Sequence, residues 1–282
     1  MDQPLVKPDP GRKLFFGLFI FPLLITVGMA VLLCSVVLLT HEEQSPETLI
    51  AAIKTVSPAK RWQKAFELSN ELNKAPGGLR AEALGGEIIQ ILTDPGRYDA
   101  KTRAYMAAAL GHLPSDAAVA ALERSLEDDS ADVRIYSLWS LGSLGAKISG
   151  TKILPLLFSA EADTRKTAAY ILGSLGVSEA AAPLREALKD PIVDVRWNAA
   201  LSLARLGDDA GYPVLVRMLD RDELAREHGM DESQIEAVMT NAAKGFALIQ
   251  KAESIKILTS IAKNEKNLRV RQAAMDTLEK IS

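Results

Sequence analysis

Cysteine is almost absent from this chain of 282 residues, which contains one, Cys34, inside a long apolar run. A single cysteine excludes a disulfide within the chain. An excess of one charge is absent too, because 33 basic and 36 acidic residues are interspersed and give a net charge of −3. Binding to phosphate backbones needs a concentrated positive surface, so a nucleic-acid partner is not predicted.

Residues that carry chemistry are also scarce. The chain has three histidines, His41, His112 and His228, and only His41 is followed by an acidic residue, Glu42. It contains no Gly-rich phosphate loop, no nucleophile elbow and no HExxH pattern. The sequence therefore predicts no catalytic, cofactor-binding or metal-binding residue, and it does not indicate an enzyme.

The first prominent feature that is present is an uncharged apolar run at residues 14–39. A helix of this length is ~39 Å long at ~1.5 Å per residue, which exceeds the ~30 Å hydrocarbon core of a bilayer. A cleaved signal peptide has a shorter apolar core and a small-x-small exit, which this run lacks. Leu33 precedes Cys34 where a lipoprotein signal has a small residue. The run predicts an uncleaved transmembrane anchor.

Basic residues near this run predict its orientation. Lys7, Arg12 and Lys13 precede the run, and the next basic residue after it is Lys54. The positive-inside rule places the basic flank in the cytoplasm. We therefore predict a cytoplasmic tail at residues 1–13 and a single-pass protein of the inner (cytoplasmic) membrane, whose remaining chain lies in the periplasm or another extracytoplasmic space.

Beyond the apolar run the chain repeats itself every 31 residues. Four segments align without gaps, and each carries an arginine at the same place near its start. Three of the four segments have an aspartate two residues before the arginine, which suits the first turn of a helix, and a glycine eleven residues after it, which suits the left-handed end of one. Each unit therefore reads as helix, turn, helix, glycine. The marker arginines are Arg103, Arg134, Arg165 and Arg196, with Arg271 at the equivalent place further on.

Fainter copies of the pattern extend it to seven units over residues 46–281. The interval between Arg196 and Arg271 is longer than two periods, which indicates an insertion at residues 220–233. This insertion is rich in carboxylates and contains His228, so a metal site is conceivable there. A solvated loop or short helix is the favoured interpretation.

The repeated pattern resembles that of the HEAT-like repeat family of the phycobilisome-lyase type, whose units read approximately D-x-x-V-R-x-x-A-A-x-A-L-G-x-L-G. The resemblance implies an all-α fold, a right-handed α-solenoid of about seven HEAT-like helix pairs, here preceded by one transmembrane helix. The family includes scaffolds and unrelated enzymes, so the resemblance implies little about function. Di-iron hydroxylases among its relatives bind metal through His-Glu pairs on successive repeats, which this chain lacks, and no bilin-chromophore pocket is recognisable.

The second helix of each unit is expected to line one wall of the solenoid, usually the concave one. Positions one, two, five and nine residues after the marker arginine share the side of that helix away from the small packed residues. All three tryptophans fall on this side, where aromatic rings favour binding. Rings that fold between helices to complete the core are the alternative. The predicted partner-binding face comprises Trp62, Phe66, Tyr105, Ile135, Tyr136, Trp139, Tyr170, Trp197, Asn198 and Leu201.

The arginines are expected to be structural, each bonding the turn of an adjacent unit. We predict a membrane-tethered scaffold that binds a membrane-associated protein partner and helps to assemble or stabilise a membrane complex. One alternative is a carrier of a small apolar ligand or lipid, with the concave wall as a trough. The other alternative is a lyase-type enzyme.

Overall fold

The structure, a computed structural model, describes residues 16–40, 45–74, 81–226, 228–249 and 251–281. Throughout these residues the chain is helical or irregular and has no strand. It divides into two compact units, Met1–Ser45 and Pro46–Ser282. The predicted cytoplasmic tail at residues 1–13 and the His41-Glu42 pair lie outside the described residues.

The first unit contains helix α1 (Phe21–Thr40), which follows a π-helical turn at Phe16–Ile20. The stretch Leu18–Ser35 is long and apolar enough to cross a membrane, and none of it is buried. A signal sequence near the N-terminus can meet the same criteria of length and composition. Membrane anchoring therefore stays a prediction.

The second unit is an α-solenoid of seven helix pairs. Its pairs are α2 and α3 (Pro46–Thr55, Pro58–Lys74), α4 and α5 (Ala81–Leu92, Ala100–Leu110), α6 and α7 (Asp116–Arg124, Ala131–Ser143), α8 and α9 (Gly150–Ile153, Ala162–Ser174), α10 and α11 (Ala181–Ala187, Val193–Arg205), α12 and α14 (Tyr212–Arg217, Glu232–Ile249), and α15 and α16 (Ala252–Asn264, Leu268–Ile281). We number these pairs units 1 to 7. The all-α solenoid predicted from the repeat is confirmed.

The first helices of units 4 to 6 are short and joined to 3₁₀ turns. In unit 4 the helix α8 has four residues and continues as a 3₁₀ segment, Leu154–Phe158, with Pro155 in its first turn. Proline has no N–H to donate, so it suits the start of a helical segment and ends the one before it. The second helices are longer and regular. The 31-residue repeat is therefore most regular on their side of the solenoid.

Helix ends follow the sequence pattern. Asp132, Asp163 and Asp194 stand in the first turns of α7, α9 and α11. The closing glycines Gly145, Gly176 and Gly207 have φ of 64°, 64° and 75°, the left-handed region in which a side chain is strained.

Small residues let the second helices pack side by side. Ala107, Ala169 and Ala200 are fully buried, and so are the leucines Leu138 and Leu203 of the same helices or their neighbours. Two contiguous groups of buried side chains result, and both draw on residues of α11. The core is therefore one layer that runs the length of the solenoid.

The insertion is more ordered than a solvated loop. It forms helix α13 (Arg221–Arg226), whose Leu224 is 1% exposed within the second buried group. His228, beyond this helix, lies against Trp197 with ring centroids 5.6 Å apart. Among the described residues no three His, Cys, Asp or Glu side chains are grouped to hold a metal ion.

Candidate functional site on the second helices

Five rings cross four neighbouring second helices, and we call them the aromatic wall: Phe66, Tyr105, Tyr136, Trp139 and Tyr170. The Phe66 and Tyr105 centroids are 5.3 Å apart, those of Tyr105 and Tyr136 5.6 Å, and those of Trp139 and Tyr170 5.2 Å. The first two pairs meet edge to face, the arrangement that ring quadrupoles prefer. These contacts hold the rings in place while leaving surface open.

Two rings of the aromatic wall are more exposed to solvent than the others. Trp139 is 48% exposed and Phe66 is 45% exposed, whereas the three tyrosines are half-buried. Trp62, one turn from Phe66, is half-buried beneath the Lys101 ammonium, which lies 3.3 Å from the ring centroid. An exposed, pre-ordered tryptophan contributes strongly to binding because its burial removes much apolar area from water at little entropic cost.

The remaining residues of the predicted face differ from these rings. Trp197 is only 8% exposed because the insertion and its neighbours cover it, so it offers almost no surface to a partner. Asn198 is half-buried, and its side chain donates to the Asp194 carbonyl at 2.8 Å. Ile135 and Leu201 are half-buried too. Both proposed readings of the rings therefore occur: most line a surface, and Trp197 completes the core.

Two titratable groups lie along this side. Burial, together with the neighbouring Tyr105 hydroxyl and the Asp132 charge, raises the pKa of the Tyr136 phenol. Burial lowers the pKa of His112, which follows the Tyr105 helix. Both shifts favour the neutral form, so this part of the wall carries little charge at neutral pH.

The marker arginines join the turns of neighbouring units. The Arg165 guanidinium donates to the carbonyls of Ser159 and Ala160 in its own unit, both at 2.9 Å. It also forms a two-pronged pair with Asp190 of the next unit, at 2.7 and 3.0 Å. Asp190 in turn accepts from the Ile192 N–H. The pair lowers the pKa of Asp190 and raises that of Arg165.

The pair with an acid at this place of the next unit recurs two units away and is replaced in between, although Arg134 keeps the bonds to its own unit, to the Asp128 and Asp129 carbonyls at 2.6 and 3.1 Å. Arg103 pairs with Asp128, as Arg165 does with Asp190. Arg134, between them, instead meets Glu161 at 2.8 Å, a residue whose side chain is 47% exposed. We call the contacts between units 2 and 3 and between units 4 and 5 closed seams, and the contact between units 3 and 4 an open seam.

The two kinds of seam also differ in how closely the backbones of neighbouring second helices approach each other. At each closed seam a serine hydroxyl donates to a carbonyl of the neighbouring second helix: Ser140 to Ala107, and Ser202 to Ala169, both at 2.8 Å. A methyl group at Gly173 would lie 2.6 Å from the Ser202 Cα, so only glycine permits this approach. At the open seam Gly142 instead faces the flexible end of the Ile171 side chain.

An arginine of the insertion supplies a buried ion pair between units 6 and 7. Arg221 of α13 donates to Glu265 at 2.5 and 2.9 Å, and to Glu232 at 2.9 Å. Glu265 is almost fully buried and accepts from the Asn267 N–H, just as Asp190 accepts from Ile192. The pKa of Glu265 is lowered because these bonds outweigh the opposing effect of burial.

A groove follows the aromatic wall, and the repeat pattern did not predict it. It has a volume of about 410 Å³ between α9, α11 and α14. Tyr170, Asn198 and Leu201 of the predicted face line it, together with residues that were missed: Arg205, Asn241, Lys244 and Leu248. A signal existed for Arg205, because the equivalent place in the other three gapless segments carries His112, Ser143 or Ser174.

Two protein-family models match parts of the solenoid. A model of HEAT repeats matches residues 150–231, and a model of the PBS lyase HEAT-like repeat matches residues 102–128. The molecule is thus an α-solenoid that contains repeats of the HEAT type. No curated protein sequence matches the chain significantly.

Solved structures share this fold at low sequence identity. A structure of the complex of CpcE and CpcF of phycocyanin lyase from Nostoc sp. PCC7120 is 20% identical with a TM-score of 0.57, over 86% of this chain and 97% of that chain. The YibA protein of Escherichia coli is 16% identical with a TM-score of 0.58, over 87% of this chain and 85% of that chain. At these identities the likeness concerns the fold alone.

Proposed function

We propose that this chain is a membrane-tethered scaffold that binds a protein partner along its aromatic wall. The observation that carries the proposal is the pair of exposed rings, Trp139 and Phe66, each in contact with a neighbouring ring on one side of the solenoid. Tryptophan is among the residues that dominate binding energy at protein interfaces. The similar fold of a complex between CpcE and CpcF supports a solenoid of this kind in partner binding.

Tethering is the second element of the proposal. It rests on the apolar stretch Leu18–Ser35, and on the basic residues that precede it in the sequence. With the N-terminus in the cytoplasm, residues 46–281 would lie outside, and a partner in or near the same membrane would be favoured. Fusing alkaline phosphatase to the C-terminus tests this: phosphatase activity in cells is expected, and an inactive fusion would contradict the orientation.

The binding experiment uses the full chain in its native cells. After chemical crosslinking, a C-terminal affinity tag recovers the chain with its partner, which mass spectrometry identifies. Replacing Phe66 and Trp139 together by alanine is expected to lower partner recovery by about 30-fold or more, since an interface tryptophan alone can contribute ~2 kcal/mol or more to binding.

Phe158→Ala is the matched control, because Phe158 is an exposed aromatic ring, 68% exposed, in the turn before α9 rather than on the wall. Recovery should be unchanged in this variant. Equal loss in both variants, or no loss in either, would contradict binding at the aromatic wall. Trp197→Ala does not serve here, because removing a buried ring destabilises the fold itself.

A lyase-type role is the second candidate. It is favoured by the match of residues 102–128 to the PBS lyase HEAT-like repeat and by the similar fold of the phycocyanin lyase subunits. The mass of the captured partner tests it. A covalent group gained or lost only in cells that contain the chain would favour catalysis, whereas an unchanged partner mass favours the scaffold.

A further inference from the structure

The groove between α9, α11 and α14 has two cations on its edges and no acid in its lining. Arg205 comes from α11 and Lys244 from α14, and no Asp or Glu lines the groove with them. Within the described residues neither cation forms an ion pair. Most arginines and many lysines of this solenoid do have carboxylate or carbonyl partners, as Arg165 and Arg221 illustrate.

Arg205 is held in place although it has no acidic partner. Its guanidinium lies over the Tyr170 ring, 5.0 Å from the centroid. Stacking on a ring fixes the plane of the guanidinium and leaves its N–H edge free to donate in pairs to a carboxylate. The exposed amide of Asn241 lies on the same groove. The site thus offers donors without competing acceptors of negative charge.

Two acids, Asp276 and Asp194, lie near the groove but do not line it. Beyond Lys244 a second cavity of about 260 Å³ contains Asp276, whose carboxylate accepts from the Gln272 amide at 2.6 Å. Asp194, next to Asn198, has its carboxylate 4.0 Å from Lys166.

The groove continues the aromatic wall. Tyr170 contacts Trp139 on one side and lies beneath Arg205 on the other. Leu248, which is 49% exposed, adds an apolar edge. A segment that crosses the second helices would therefore meet exposed rings first, and then a groove that combines two cations, two amides and an apolar side chain.

We infer that this groove holds an acidic segment of the protein partner, with a carboxylate between Arg205 and Lys244 and an apolar neighbour against Leu248. The inference rests on the proposed function, which it deepens by naming the chemistry of the partner. Charge complementarity carries it, since a bidentate guanidinium contact and an ammonium suit a carboxylate. The mixture of amides and an apolar edge suits a peptide better than a nucleic acid, which needs a longer row of cations.

The first experiment identifies what occupies the groove. The photoreactive residue p-benzoylphenylalanine replaces Leu248 in the full chain, and in a parallel sample it replaces Trp139. Illumination of intact cells is followed by mass spectrometry of the crosslinked peptide. We expect position 248 to capture a segment of the same partner as position 139, rich in Asp or Glu.

The second experiment measures the charge contribution. The captured segment is synthesised with a fluorescent label, along with a copy in which each Asp or Glu becomes Asn or Gln, and both are titrated with the detergent-solubilised full chain. Replacing Arg205 and Lys244 together by Gln should weaken the acidic peptide about tenfold and leave the amide copy unchanged. The control replaces Arg124 and Lys256, exposed cations of first helices, and should change neither affinity.

The outcomes separate the inference from the proposed function. Capture at position 139 together with a segment without acids, a phospholipid or nothing at position 248 overturns the acidic-segment inference and leaves the scaffold standing. Equal affinities of the acidic and amide peptides also overturn it. Absence of a protein product at both positions contradicts the scaffold itself.

Discussion

The closed and open seams join units of the same length and the same helical plan, yet they are built differently. At the closed seam between units 4 and 5, the buried pair of Arg165 and Asp190 and the contact of Gly173 with Ser202 lock two backbones together. At the open seam, Glu161 is half in water and Ile171 separates the helices. The difference indicates that the interface between units 3 and 4 is less tightly joined than the interfaces on either side of it. A repeat array behaves as a sum of unit and interface contributions, so each interface can be tested alone.

The largest contrast is expected for the arginines. Arg165→Gln leaves the Asp190 carboxylate, whose side chain is 10% exposed, without its partner, and should lower the free energy of unfolding by ~3 kcal/mol. Arg134→Gln leaves the exposed Glu161 in water and should cost ~1 kcal/mol. Urea titrations of the full chain in detergent, followed by circular dichroism, measure both. Equal losses would show that the seams do not differ.

Alanine at the two glycines tests backbone approach. Gly173→Ala drives a methyl group towards the Ser202 backbone and should cost ~2 kcal/mol. Gly142→Ala meets only the Ile171 Cδ1, which can rotate away, and alanine favours the helix, so a change of less than ~1 kcal/mol is expected. The same urea titration measures the free energy of unfolding of both variants. A Gly142 variant as unstable as the Gly173 variant would refute the distinction.

The serine hydroxyl contributes a smaller amount. Ser202→Ala removes the donor to the Ala169 carbonyl in a fully buried position and should cost ~1 kcal/mol. Ser174 is the matched control, since it is an exposed serine at the end of the neighbouring helix. Ser174→Ala should change the free energy of unfolding by less than ~0.5 kcal/mol. A loss that is the same in both variants would exclude the hydrogen bond as its cause.

The last contrast concerns the charge of Asp190, and it appears only at acidic pH. The Arg165 bond lowers the pKa of Asp190 in the folded chain, so this bond stabilises the fold fully above the ordinary Asp pKa of about 4 and loses its effect as the pH falls below it. The stability difference between the chain and its Asp190→Asn variant should therefore shrink from pH 6 towards pH 3. Melting temperatures across this range measure it. A constant difference would mean that the Asp190 charge does not contribute.

The periodicity of the sequence was sufficient to predict the fold. The marker arginines, the glycines at φ near 64° and the seven helix pairs all follow from a spacing that any reader can count. The two-unit recurrence was also visible, since Asp128 and Asp190 share a place that Ser159 occupies between them. It is recognisable only once the partners are known, because pairing across units depends on which side chains face each other.

The candidate site was less predictable. Periodicity placed Trp139 and Trp197 on one face, but the insertion has no period, so its cover over Trp197 through His228 could not be read from spacing. The groove could not be predicted from the sequence for a related reason. Lys244 and Asn241 belong to α14, the second helix after the insertion, where the register with earlier units is lost and Thr240 stands one period before the marker Arg271.

The alternation of seams determines how this solenoid could be shortened. Deleting units 3 and 4 together would bring Arg103 opposite Asp190 and Gly111 opposite Ser202, so the new junction would reproduce a closed seam from existing parts. Deleting unit 3 alone would set Arg103 against Ser159 and Gly111 against Ile171, the positions that Arg134 and Gly142 face at the open seam. A closed seam is therefore kept at this junction by removing two units, 62 residues, which is twice the 31-residue period of the sequence.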